Sequence, residues 1–80
     1  MTDVGYRNLV DGILSCAAKD YKRVLRRLER EELEDNERYR LLARKDELEL
    51  FFRSEWYEAL SDTDGERLMD RIRRDAAGRR

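Results

Sequence analysis

The first 28 residues place an apolar side chain every three or four positions: Tyr6, Val10, Ile13, Ala17, Tyr21, Val24 and Leu28. These steps average about 3.7 residues, close to the 3.6 of an α-helix and far from the two-residue repeat of a strand. Leu9, Leu14 and Leu25 widen the stripe, and the basic residues Lys19, Lys22, Arg23, Arg26 and Arg30 fall on the opposite face. Asp3 is the expected N-cap, and the helix is predicted over about 3–30. A stripe this long needs a partner surface, and the rest of the chain must supply it.

The remaining sequence also reads as helix. The 80-residue chain has no proline and four glycines, and β-branched residues are scarce among its Leu, Arg, Glu, Lys and Ala. Asp35-Asn36 is the best turn candidate after the polar, acidic run 29–37. A second helix is expected over about 37–53, with Leu41, Leu42, Leu48 and Phe52 on its inner face. Asp46, with Glu49 three residues on, offers a possible re-capping point. Ser54 is a further N-cap, with EWYEAL a short helix over 54–60. Whether 37–60 is one helix or two stays open. SDTDGE at 61–66 is a firmer break, with Thr63 and Glu66 as a capping box. The last helix is expected over 64–77, with Leu68, Met69, Ile72 and Ala76 on one face and Gly78 as its stop. Arg79-Arg80 are expected to fray. The predicted fold is all-α, a single domain over 1–80. It is a small bundle of three to four helices, the long first one packed antiparallel on the second.

Charge comes in blocks. The net charge is -1, from 18 Lys+Arg and 19 Asp+Glu. Residues 1–28, 38–53 and 67–80 are net basic, and 29–37 and 54–66 are net acidic. Basic helices and acidic connections can neutralise one another on packing, and acids near helix starts suit the helix dipole. Fifteen of the 18 bases are arginine, which favours planar contacts with phosphate or carboxylate. Arg67, Arg71 and Arg74 share a face of the last helix, and Lys19, Lys22, Arg26 and Arg30 share the outer face of the first. These two strips are the candidate nucleic-acid contacts. Pairing with nearby acids, such as Arg74 with Asp70 and Lys19–Arg30 with Asp20 and the 29–37 run, is the simpler account of them.

Catalysis has little to work with. There is no histidine, the usual general base and a common metal ligand. Cys16 therefore has no histidine to activate it, and it reads as a small buried residue. DTDG at 62–65 resembles part of a calcium loop, but Leu60 and Arg71 occupy the positions where further ligands belong, so it reads as a helix cap. No enzyme, cofactor or metal is expected. No window is apolar enough to span a membrane, and the N-terminus has no apolar leader stretch, so a cytoplasmic setting is expected.

Protein binding is the leading expectation. FFRSEWY at 51–57 holds four of the seven aromatic residues. Neighbouring helix positions lie about 100° apart, so Phe51 and Phe52 are not both expected to face one core. Phe51, Trp56 and Tyr57, with Arg53, are the candidate anchors, and Glu55 and Glu58 would steer a basic partner surface. A chain this small buries roughly 64% of its unfolded surface. A homodimer through the first helix or the 51–57 segment is the expected cover for what remains.

The stretches ELELFFRSEWYEALSDTDGERLMDRI, 47–72, and YRNLVDGILSCAAKDYKRVLRRL, 6–28, resemble small uncharacterised helical proteins of phages and mobile elements of gut Firmicutes. The resemblance implies a bacterial host cell as the setting. It also implies a host protein as partner, one that the chain inhibits or redirects, such as a CRISPR nuclease or another defence protein. A small nucleic-acid-binding regulator is the alternative.

Overall fold

The computed structural model describes the backbone of residues 2–78 and the side chains of residues 9–78. The described residues form four helices: α1 (Thr2–Leu28), α2 (Asp35–Phe52), α3 (Glu55–Leu60) and α4 (Gly65–Gly78). The described residues contain no strand. Thus 37–60 is two helices, broken at Arg53-Ser54, and 44–47 runs straight through α2 without re-capping at Asp46. Asp3 lies inside α1 rather than ahead of it. The Tyr6 side chain and Arg79-Arg80 lie outside the described residues.

The ends of the helices are set by local hydrogen bonds. Glu34 precedes α2 in extended backbone without a side-chain cap, and Asp35-Asn36 belong to the helix rather than to the turn. The negative Asp35 and Glu37 in the first turn favour the positive end of the helix dipole. At α3 the sequence reading holds: the Tyr57 N–H donates to Ser54 Oγ at 3.2 Å. At α4 the cap is Asp64, which accepts from the Glu66 N–H at 3.2 Å. Thr63 instead donates its N–H to Ser61 Oγ.

Helix directions follow from the ion pairs. Arg27 pairs with Glu37, and Asp20 with Arg44 at 3.1 Å. Stepping back along α1 steps forward along α2, so the two are antiparallel. Arg53 pairs with Glu66 at 2.6 Å and Glu49 with Arg73 at 3.2 Å, which sets α4 antiparallel to α2 and co-directional with α1. The molecule is slender, 50 × 25 × 19 Å, with a Cα radius of gyration of 14.3 Å. A compact chain of this length would have about 12 Å.

The core is Tyr21 and Val24 of α1, Leu48 and Phe52 of α2, Tyr57 of α3, and Met69 and Ile72 of α4. Val10 is buried further along α1, near Leu60. Several stripe residues lie outside. Leu9 and Ile13 of α1 and Leu42 of α2 are exposed. Leu42 lies about 120° round from Leu48, and its place on the inner face is taken by Lys45 and Glu49. Cys16 is also exposed, because it lies about 140° round α1 from Tyr21, on the far side.

Candidate partner-binding surface and the polar hub beneath it

Residues 51–58 form a corner. The backbone of α2 closes on Arg53 (φ -97°, ψ 0°), and Ser54 steps into extended geometry before α3 turns back. Ser54 Oγ donates to the Phe51 carbonyl at 2.6 Å, tying the end of α2 to the start of α3. The reversal lays Tyr57 against both phenylalanines. Its ring centroid is 6.0 Å from Phe51 and 5.6 Å from Phe52, both edge-on. Tyr21 adds a fourth ring, 5.6 Å from Phe52.

The corner sorts the expected anchors differently from the sequence reading. Tyr57 is 1% exposed and belongs to the core. Phe51 is half-buried, because α3 folds over it, so both phenylalanines serve one cluster after all. Trp56, one residue before Tyr57 and about 100° round α3, is 73% exposed. Glu55 and Glu58 are exposed beside it. Arg53 is engaged by Glu66 and reaches Glu49 at 4.0 Å. The outward surface is therefore Trp56 with Glu55 and Glu58.

Gly65 fixes the corner from below. A Cβ placed there would sit 1.9 Å from the Phe52 carbonyl oxygen. Only glycine lets the start of α4 pack this closely on the end of α2. The DTDG run signals a turn in the sequence, but the partner of that glycine is 13 residues away and carries no local signal.

Behind the corner lies a polar hub that the sequence reading missed. Glu49 is buried, at 8% exposure. Its Oε2 accepts from the Tyr21 hydroxyl at 2.7 Å, Arg73 Nη2 at 3.2 Å and Lys45 Nζ at 3.1 Å. Arg73 Nε also donates to the Tyr21 hydroxyl oxygen at 3.0 Å. One carboxylate thus joins α1, α2 and α4. Burial alone would raise the Glu49 pKa, but the hydrogen bonds from Tyr21, Lys45 and Arg73 outweigh it and lower it to about 2. The Tyr21 hydroxyl is pushed up to about 12, first by burial and then by its bond to Glu49. Buried charges need such pairing, and every buried side-chain nitrogen or oxygen among the described residues has a partner.

The two basic strips differ. On α4, Arg74 pairs with Asp70 at 3.0 Å, and the groove holding Arg67, Arg71 and Arg74 is also lined by Asp62, Asp64, Asp70 and Asp75. Four carboxylates among three guanidiniums make a poor phosphate track. On α1, Lys22 pairs with Asp75 at 3.7 Å, whereas Lys19 and Arg26 are exposed and make no ion pair with a described residue. α1 ends at Leu28, two residues short of the expected end, so Arg30, also exposed and without an ion pair to a described residue, lies past the helix rather than on its outer face. Asp20 is taken by Arg23 and Arg44 instead. No helix of the described residues is long and apolar enough to cross a membrane, and these residues hold no cluster of metal-ligating side chains. Comparison with protein families, curated proteins and solved structures finds no match to the chain.

Proposed function

We propose that the chain is a non-enzymatic protein-binding module that docks through the Trp56 surface. One observation carries this reading: the single tryptophan is 73% exposed on a corner tied to the core by buried Tyr57 and the Ser54 hydrogen bonds. An exposed tryptophan on a fixed backbone loses little freedom on binding and buries a large apolar area, the usual profile of an interface anchor. Glu55 and Glu58 beside it favour a partner with a basic surface. The likeness of 6–28 and 47–72 to phage and mobile-element proteins points to a bacterial host protein as that partner, inhibited or redirected by the contact.

A second reading rests on the outer face of α1. Lys19 and Arg26 there, and Arg30 just past the helix end, are exposed and make no ion pair with a described residue, which suits a small nucleic-acid-binding regulator. Pull-down from nuclease-treated bacterial lysate with the wild-type chain and Trp56→Ala separates the two. The proposal expects a nuclease-resistant protein that Trp56→Ala loses and that Lys19→Glu/Arg26→Glu/Arg30→Glu retains. The reverse pattern overturns it.

A further inference from the structure

α2 is apolar on two opposite faces. Leu41, Leu48 and Phe52 face the core. Tyr39, Leu42, Ala43 and Leu50 lie within about 60° of the direction opposite Leu48 and form a second stripe. It is in solvent: Tyr39 is 76% exposed, Leu42 45% and Leu50 69%. A helix that serves one core needs one apolar face, and a second one, here interrupted at its middle by Asp46, marks a docking surface.

We propose that the occupant of this stripe is a second copy of the chain, with the two α2 helices antiparallel about a two-fold axis at residue 44. The charges beside the stripe carry the choice. In an antiparallel two-fold contact, like borders of the two helices meet, and residues pair when they lie equally far on either side of the axis. Arg40 and Glu47 share one border, and Asp35 and Arg53 both lie toward the other. One register, centred within half a residue of position 44, brings Arg40 to the second copy's Glu47 and Asp35 to its Arg53. It also sets Tyr39 against Leu50. Each pairing occurs twice. Arg40 and Asp35 have no ion-pair partner among the described residues of their own chain, whereas Glu47 pairs with Arg44 at 3.1 Å and Arg53 with Glu66 at 2.6 Å, so across the axis Arg40 and Asp35 join groups that already hold one partner each. A stripe evolved for an unrelated protein has no reason to be complementary to itself at one axis.

The same register places both Asp46 carboxylates beside the axis, an opposing repulsion. An 18-residue helix is about 27 Å long, so the contact is small, and weak, concentration-dependent association is expected. This surface differs from the first helix and the 51–57 segment expected from the sequence; in that segment Phe51 and Tyr57 are used within one chain.

Sedimentation equilibrium of the full chain from about 10 μM to about 1 mM tests the inference. Reductant is present, because the exposed Cys16 can link copies by itself. Leu50→Glu should weaken association at least about tenfold with an unchanged melting curve, since Leu50 is a surface residue. Arg40→Glu and Glu47→Arg should each weaken it about threefold, and the double variant should restore it. Asp46→Asn should strengthen it. A monomer at about 1 mM, a dimer indifferent to Leu50→Glu, or single charge reversals without rescue in the double variant each overturn the inference. So does a monomeric chain whose pulled-down protein is lost on Leu50→Glu, which would assign the stripe to that partner. Trp56→Ala should leave self-association intact, which separates this outcome from the function proposed above.

Discussion

Replacing Glu49 by Gln keeps the shape of the side chain and removes the charge that joins three helices. The cost follows from proton linkage. Folding lowers the Glu49 pKa from an ordinary 4.5 to about 2. A depressed carboxylate stabilises the fold fully above its unfolded pKa and loses that contribution as pH falls through its folded pKa. At 1.36 kcal/mol per unit, the contribution is about 3 kcal/mol at pH 7. It is still about 3 kcal/mol at pH 4.5, about 1 at pH 3 and nearly gone at pH 2. A domain of this length has roughly 4–12 kcal/mol in total, so Glu49→Gln removes a large share at neutral pH. Urea denaturation followed by circular dichroism, for wild type and variant at each pH, reads the difference directly. The two stabilities should converge as pH drops from 4.5 to 2. A difference under about 1 kcal/mol at pH 7, or one that stays constant down to pH 2, would refute the view that the Tyr21, Lys45 and Arg73 hydrogen bonds prevail over burial.

Three further predictions concern the corner. Tyr57→Ala should cost about 3–5 kcal/mol, because the ring is fully buried, whereas Trp56→Ala should stay within about 0.5 kcal/mol of wild type; equal melting temperatures for the two variants would contradict this. Gly65→Ala should cost about 3 kcal/mol or leave the chain unfolded, since its Cβ would meet the Phe52 carbonyl; a thermal melt within a degree of wild type would show that α4 can back away freely. Ser54→Ala should cost about 1 kcal/mol by removing the acceptor for the Tyr57 N–H and the donor to the Phe51 carbonyl; the same melt measures it, and no change would remove Ser54 from the account of the corner.

The helix bodies were legible because their signals are local. The spacing from Val10 to Leu28 marks α1, Ser54 marks the start of α3, and Asp62 to Gly65 mark the break before α4. The antiparallel pairing of α1 and α2 also followed, from a short link between two amphipathic segments. What stayed hidden depends on contacts distant in sequence or on the angle of a single turn. Trp56 and Tyr57 are neighbours, and which one faces the core is decided by the two dihedrals at Arg53 and the step at Ser54. Glu49 reads as an ordinary surface acid until Tyr21 and Arg73, 28 and 24 positions away, are brought to it. Leucine favours the core, so Leu42 reads as inward, yet it shares the outer side of α2 with Tyr39 and Leu50. That second stripe is present in the spacing 39, 42, 43, 50, but Asp46 in its middle breaks the apolar pattern.

The most direct test of the functional account is binding to one captured partner by the wild type, Trp56→Ala and the arginine variant Arg26→Glu/Arg30→Glu, each at two salt concentrations. The account predicts that Trp56→Ala lowers affinity by about tenfold or more, a loss on the scale of an interface anchor, with the melting temperature unchanged. The arginine variant should bind as the wild type does, with modest salt dependence. Full binding by Trp56→Ala, together with loss in the arginine variant and a steep fall with salt, would contradict it and assign the chain to nucleic acid.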